Sequence, residues 1–418
     1  MESIDGKEFV MDEVTVGLDL GTTKTCTVIG FLNENNQVEV AGVGVSPSRG
    51  LKNGIIVNID NTVNSIAKAI EDAELMAGCE VSTVFVGITG NHMKGENSRG
   101  VVAIANRNRT ITPLEVKRVI EAAQAVVIPT DREIIHVLSK EFSVDDQTGI
   151  KDPIGMSGVR LEAEVHIITA ASTSIQNVIK SVNRSGFQCS DIIFSVLATA
   201  EASLSQDEKE LGVALVDIGG GTTDIIVFIE GGVAFTSVLS IGGIHVTNDI
   251  SIGLRTPLDS AEMIKKKYGC AVIDLVDASE TIEVPSVGGR APRRLFKQEL
   301  AQIIEPRMVE ILEMVDKELI RSGKKDIMAA GVVITGGGSM IDGSVDAAER
   351  ILNMPVRLGT PKQIAGLKDV VATPQYTTGV GLLKYGVRMS QFISTRGRKG
   401  KGISSLSNRI RRWLEEYL

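Results

Sequence analysis

The 418-residue chain has few of the residues that build covalent or metal frameworks. Its four cysteines, Cys26, Cys79, Cys189 and Cys270, lie far apart with no CxxC pair. That argues against a structural zinc site and fits a reducing compartment. Four scattered histidines leave little for a His-built metal centre. No apolar run reaches the roughly 18 residues that a membrane span needs. The opening MESIDGKEFVMD is acidic and has no apolar core, so it does not read as a signal peptide, and a cytosolic protein is the expectation. Positive charge is also short: 44 Lys and Arg face 52 Asp and Glu, a net −8. An acidic body is a poor nucleic-acid binder, because phosphate contacts need clustered Lys and Arg. The exception is the tail, where Arg396 to Leu418 hold seven basic and two acidic residues, so that it carries +5 and the remainder −13. A basic tail on an acidic body points to an anionic surface as partner. At 43% hydrophobic and 23% charged, the composition excludes a disordered chain, and the length suits about two to four domains.

Glycine is abundant and clustered. Val16 to Phe31, VGLDLGTTKTCTVIGF, and Ala214 to Gly232, ALVDIGGGTTDIIVFIEGG, share one pattern: an apolar run ending in Asp, a Gly/Thr turn, then a second apolar run. Each reads as a strand–turn–strand hairpin. Asp19 and Asp217 stand 198 positions apart, so each half of the chain opens with the same device. Two matching halves facing each other would create a cleft, where ligands commonly sit. A third cluster, GVVITGGGSMIDG from Gly331 to Gly343, is a strand running into a glycine turn. Helical stretches lie between: 61–77 with Val63, Ile66, Ile70 and Leu75, and 258–268 with Leu258, Ala261, Ile264 and Tyr268. Strands alternating with helices predict an α/β architecture.

From about 82 to 168 the pattern changes. Strands are expected near 83–89, 99–106, 133–143 and 159–168, flanking one helix. Thr112 is its N-cap, Pro113 its first residue and Glu115 completes a capping box, with Val116, Val119, Ile120, Ala123 and Val127 at helical spacing. This reads as a small α+β domain inserted in the first lobe; the competing reading is more of the same sheet. The domain expectation is therefore 1–82 and 169–205 for the first lobe, 83–168 for the insert, 206–390 for the second lobe, 391–405 for a flexible basic linker and 406–418 for a terminal helix. In that helix Leu406, Ile410, Trp413, Leu414, Tyr417 and Leu418 form one apolar face. With its basic flank the helix reads as an interfacial membrane anchor, reversible for a single copy and strengthened when a polymer presents many. A helix packing back on the body is the alternative.

The two hairpin turns carry the chemistry. Glycine turns let backbone N–H groups approach phosphate oxygens as an anion nest, Thr hydroxyls add donors and Lys24 adds charge. Asp19 and Asp217, at their strand ends, suit a Mg²⁺ held through its water shell. Neither turn is a Walker A loop; plain hairpins with glycine turns are the competing reading.

The paired hairpins resemble the two phosphate loops of the actin, heat-shock chaperone and sugar kinase ATPases, and Gly331–Ile341 resembles their adenosine motif. FSVLATAEASL, from Phe194 to Leu204, and TTGVGLLKYG, from Thr377 to Gly386, are similar to their two connecting helices. The resemblance covers nearly the whole body and implies an actin-like, ribonuclease-H-like fold of two lobes with ATP in the cleft. It implies Asp19, Gly21, Thr22, Thr23 and Lys24 at the β/γ-phosphates and Gly219, Gly220, Gly221 and Thr222 cradling them from the other lobe. Asp217 and Glu201 would lie near Mg²⁺ and an attacking water, Gly336, Gly337 and Gly338 against ribose and adenine, and Glu262 and Lys265 along the adenosine pocket.

Two further stretches, DPIGMSGVRLEAEVHIIT (Asp152 to Thr169) and IGGIHVTNDISIGLRTPLDSAEMIKKKYG (Ile241 to Gly269), with the linker and tail, resemble the FtsA family of bacterial cell-division proteins. That resemblance implies an ATP-binding protein that polymerises, binds the C-terminal peptide of FtsZ, tethers it to anionic lipid at the inner face of the membrane, and contacts later division proteins through the insert. By the same analogy Arg293, Arg294, Lys297 and Arg307, on a helix RRLFKQELAQIIEPRMVEI, would meet the acidic peptide, a solvated charged face being the alternative. ATP hydrolysis is expected to be slow or filament-dependent. The rival functions are a small-molecule kinase of the superfamily, which needs a substrate pocket that the insert does not signal, and a type IV pilus assembly relative, which lacks the tail.

Overall fold

The computed structural model describes residues 14–125 and 128–395. The tail residues Leu406, Ile410, Trp413, Leu414 and Tyr417, the linker from 396 onward, and Val127 lie outside the described residues.

The chain forms two compact units. One gathers the described residues up to Ile88, Ile175–Ser203 and those from Thr360 onward; the other gathers Thr89–Ser174 and Leu204–Gly359. The first unit is built on a six-stranded sheet ordered Gln188–Phe194, Thr83–Ile88, Thr15–Leu20, Lys24–Leu32, Val38–Pro47, Ile364–Gly366. The second is built on a five-stranded sheet ordered Gly232–Leu239, Thr223–Ile229, Val213–Ile218, Val332–Thr335, Val356–Leu358. In both, the hairpin strands run antiparallel and the strand on the other side of the first hairpin strand runs parallel. The sequence repeat is thus a topological repeat: a three-strand meander extended by parallel crossover strands. The parallel strands are near-continuous apolar runs, as burial on both faces requires.

Two domain boundaries depart from the expectation. The 83–89 strand, expected in the insert, is Thr83–Ile88, and it pairs in parallel with both Thr15–Leu20 and Gln188–Phe194 in the first sheet. The segment from Thr360 onward, expected in the second lobe, belongs with the first. Ile364–Gly366 adds a parallel strand beside Val38–Pro47, and the Thr377–Thr395 helix buries Val380, Leu383 and Val387 with Cys26, Val28 and Val40. That helix lies against Ser195–Ser203 so closely that a Cβ on Gly381 would stand 1.8 Å from the Ala198 carbonyl oxygen. Its last residues, 391–395, take the start of the expected linker.

The insert is a four-stranded antiparallel sheet ordered Lys94–Ala103, Arg160–Ala171, Arg132–Val144, Gln147–Ile150, with one helix, Pro113–Ala123. The helix starts as its sequence dictates. The Thr112 hydroxyl accepts from Leu114 N–H, and Thr112 N–H donates to Glu115 Oε2 at 3.0 Å, closing the capping box. Val116, Val119, Ile120 and Ala123 are fully buried. Though interposed in the sequence of the first unit, the insert is grouped with the second, bonded to its Gly232–Leu239 strand.

Candidate functional site

The second hairpin builds the richer site. Strand Val213–Ile218 is buried at every position, so Asp217, 8% exposed, is a carboxylate held in an apolar sheet. Its cross-strand partner is Asp224, so two carboxylates face each other across the ladder. The turn between the strands is closed by Gly219 N–H donating to the Thr222 carbonyl at 2.9 Å. The carbonyls of Gly219 and Gly220 accept from the first amides of the Gly243–Gly253 helix, at 2.9 and 2.8 Å. The third glycine cluster closes on the same strand end. Gly336 has φ +85, in the left-handed region, and a Cβ there would stand 2.2 Å from Asp217 Oδ1. A Cβ on Gly338 would meet Ile218 Cγ2 at 2.5 Å, whereas one on exposed Gly337 would meet nothing within 4 Å. Gly337 therefore presents bare backbone to open space.

Lys265, on the Leu258–Tyr268 helix, joins these pieces. Its ammonium donates to the Gly243 carbonyl at 3.0 Å and to Thr247 Oγ1 at 2.8 Å, and pairs with Glu262 at 2.6 Å. The Thr247 hydroxyl donates to Glu262. A Cβ on Gly243 would lie 3.5 Å from Lys265 Nζ, 3.6 Å from the Gly219 oxygen and 3.7 Å from Gly338 Cα. The ammonium thus sits beside the helix start at which the turn and the third glycine cluster meet. Burial pushes Lys265 below the ordinary lysine value, against the pull of Glu262. For Glu262, burial alone would raise the carboxyl, but the Lys265 ammonium and the bonds from Lys265 and Thr247 outweigh it and hold it below the usual carboxylate range. Each partner keeps the other charged in a half-dry setting, where a fixed cation acts strongly on an anionic ligand.

In the first unit Asp19 is the last residue but one of the Thr15–Leu20 strand, which the turn at 21–23 follows. Its cross-strand partner is not a carboxylate but Cys26, a thiol pushed up to about 11 by burial and therefore inert. Thr22 Oγ1 accepts from Gly54 N–H at 3.0 Å. Lys24, expected at the phosphates, donates to the Gln375 carbonyl and stands 4.3 Å over the Tyr376 ring. Glu201, on the Ser195–Ser203 helix, pairs with Arg388 at 3.1 Å. Thr199, on the same helix, is hydrogen-bonded to Thr378 at 3.0 Å, at the start of the helix just beyond Lys24's perch. The Ser195–Ser203 helix turns Ala198, Thr199 and Ala202 inward and leaves Glu201 half-buried.

The basic residues expected on one helix divide. Arg293–Phe296 is a strand, paired with Thr281–Val284, and the helix begins at Lys297. Arg293 and Arg294 are exposed on the strand, the Arg293 guanidinium donating to the Leu254 carbonyl. Lys297 is paired with Glu280 at 3.0 Å, and Arg307 grips both oxygens of Asp249 at 2.6 and 3.1 Å.

Thr247, Gly243 and Asp224 were not singled out by the sequence. The signals were present: GG opening a helix in IGGIHVTND, and the Asp that ends GTTD. Among the described residues no cluster of His, Cys, Asp and Glu has the form of a metal site, and no helix is long and apolar enough to cross a membrane.

Residues 214–381 match the family model for cell division protein FtsA, and residues 90–169 match that for the SHS2 domain inserted in FtsA. The cell division protein FtsA of Pseudomonas aeruginosa is 49% identical over 409 residues, covering 96% of this chain and 98% of that protein. That of Neisseria meningitidis is 44% identical over 405 residues, covering 95% and 97%. Among solved structures, the PilM–PilN type IV pilus biogenesis complex aligns with a TM-score of 0.64 at 16% identity, over 89% of this chain and 98% of that one. MreB5 of Spiroplasma citri bound to ADP aligns at 0.56 and 14%, over 91% and 98%. The MamK double helical filament aligns at 0.51 and 14%, over 89% and 98%. These likenesses show an actin-like fold.

Proposed function

Because this chain belongs to the FtsA family of cell-division proteins, we propose that it is an ATP-binding protein that self-associates on the inner face of the cytoplasmic membrane at the division site. There it binds the C-terminal peptide of FtsZ, anchors that polymer to lipid and helps recruit later division proteins through the insert. One observation carries the nucleotide part: the meeting of Gly219, Gly243 and Gly338 beside the Lys265 ammonium, next to the open backbone of Gly337. A cation, bare glycine backbone and a buried carboxylate at one strand end fit a phosphorylated nucleoside. The first hairpin, Asp19 to Lys24, is the second phosphate-binding element in this reading. Mg²⁺, when bound, neutralises phosphate charge; Asp217 is the carboxylate of this strand end that would hold it through water. Relatives of the same fold support the assignment: MreB5 is seen with ADP, and MamK as a filament.

Calorimetric titration of Mg-ATP into the full chain tests the nucleotide site. Wild-type protein is expected to bind, and Lys265→Ala and Gly337→Asp to weaken binding at least about 10-fold, through the loss of the buried cation beside the helix start or the filling of the open face. No heat with wild-type protein overturns the ATP reading; unchanged affinity in both variants shows that the pocket lies elsewhere.

Membrane attachment is assigned to Leu406, Ile410, Trp413, Leu414 and Tyr417 with the basic flank before them. Vesicles containing anionic lipid are expected to sediment the full chain under assembling conditions and to leave a chain lacking 406–418 in solution. With Lys297 and Arg307 neutralised by local carboxylates, exposed Arg293 and Arg294 are the basic residues best placed for the FtsZ peptide. Hydrolysis in this reading is slow or filament-dependent.

A further inference from the structure

The inserted domain is fastened at two points to the sheet that contains the second hairpin. At its first residue, Thr89 Oγ1 donates to Asp224 Oδ1 at 2.6 Å, with Thr89 7% and Asp224 3% exposed. Further along, His166 bridges Asn97 Oδ1 at 2.6 Å and Thr236 Oγ1 at 2.9 Å, and Asn97 Nδ2 donates to the Ala234 carbonyl at 3.0 Å. The strand holding Ala234 and Thr236 is hydrogen-bonded to the strand that begins Thr223-Asp224. The chain's way into and out of the insert is clamped by Arg132, which donates to the His92 carbonyl at 2.8 Å, the Thr169 carbonyl at 2.9 Å and Thr169 Oγ1 at 3.0 Å from Nε. These contacts gather at one end of the insert's two long central strands, where Arg132 stands opposite Ala171.

Asp224 is also the cross-strand neighbour of Asp217, two positions past the Gly219–Thr222 turn. Directly opposed side chains lie about 5 Å apart at Cβ and interact, like charges unfavourably. In a buried setting, a charge-assisted bond to one of them responds to whatever faces the other. We propose that the Thr89–Asp224 bond couples the inserted domain to occupancy of the Gly219–Thr222 turn, so that a ligand there tightens the insert. This rests on the reading of that turn as a nucleotide site. The coupling is reciprocal: a division partner that braces the insert raises nucleotide affinity by the same factor.

Hydrogen exchange of the full chain, with and without saturating Mg-ATP, tests this on amides of Lys94–Ala103 and Arg160–Ala171. In wild-type protein Mg-ATP is expected to slow their exchange about 5-fold, at the lower end of typical couplings. Thr89→Val, which keeps shape and loses the hydroxyl, should bind Mg-ATP with little change by calorimetry yet lose most of that slowing, and Thr89→Ser should restore it. Should Thr89→Val fail to fold, Asp224→Asn, a neutral acceptor, is expected to show a reduced response. Wild-type protein that binds Mg-ATP without any change in the insert, or variants that respond as fully as wild type, overturns the coupling alone. Wild-type protein that binds no Mg-ATP overturns the nucleotide reading and the coupling with it.

Discussion

Acidifying the protein should loosen the inserted sheet in part through His166. The side chain is 2% exposed, and burial pushes its imidazole down to about 4. Asn97 spends its amide N–H on the Ala234 carbonyl, so its oxygen accepts, which assigns the proton to His166 Nδ1 and makes Nε2 the acceptor from the Thr236 hydroxyl. The neutral ring is fully satisfied; the imidazolium would carry a second donor toward a hydroxyl already aimed at it. In the opened state the histidine returns to a pKa near 6.5. Above that value both states are neutral and the contribution is complete. As pH falls below it, the opened state takes up the proton first, and stability drains by about 1.4 kcal/mol per pH unit until the folded value near 4 is reached, about 3 kcal/mol in all. The assay is amide exchange in Arg160–Ala171, corrected for intrinsic rate, between pH 7 and 4. His166→Gln supplies a non-titrating side chain that still has a donor and an acceptor. Other histidines act in both proteins and cancel in the difference. Identical pH slopes in the two proteins, or a His166 resonance titrating near 6.5, would refute the reasoning.

Two other outcomes follow from packing and pairing. Gly381→Val should cost more than about 3 kcal/mol, because its Cβ would meet the Ala198 backbone at 1.8 Å where neither helix can yield, and a thermal melt should show the loss as a large drop in Tm or as insoluble protein. Arg307→Ala should lower stability by up to about 1 kcal/mol, since the pair with Asp249 is partly exposed, and should leave affinity for the FtsZ peptide unchanged; a selective loss of peptide affinity would return Arg307 to the partner surface.

Much of the fold was legible because the repeat is local. An apolar strand, a glycine turn and a second apolar strand specify a hairpin whatever surrounds it, and both hairpins form with matching register, Asp19 opposite Cys26 and Asp217 opposite Asp224. The helix at Pro113 was equally local, its buried stripe lying within eleven residues and its cap one residue before them. What failed was non-local. Nothing in TVFVGI says that its partners are Thr15–Leu20 and Gln188–Phe194 rather than the insert's own strands, because a parallel strand chooses its neighbour across a long crossover. The return of the segment from Thr360 to the first unit is the same error on a larger scale.

The site divides along the same line. Glycines and aspartates at strand ends could be placed from spacing, and the second hairpin, the third glycine cluster, Glu262 and Lys265, which only the resemblance to the ATPase superfamily linked, lie together. Long charged side chains could not be placed, because a sequence displays charges without their counter-charges. Lys24 meets a carbonyl 351 positions away, Glu201 an arginine 187 positions away, and Arg307 an aspartate 58 positions away. Each has a partner within the protein that only the folded chain displays. Lys265 is the instructive exception. Its counter-charge sits three residues before it on the same helix, and its bonds to Gly243 and Thr247 aim the pair at the glycine turns. Two apolar side chains would fill that space at lower cost, so a charged pair kept there is consistent with the proposed anion site, and unchanged Mg-ATP affinity in Lys265→Ala would make the pair a structural one instead.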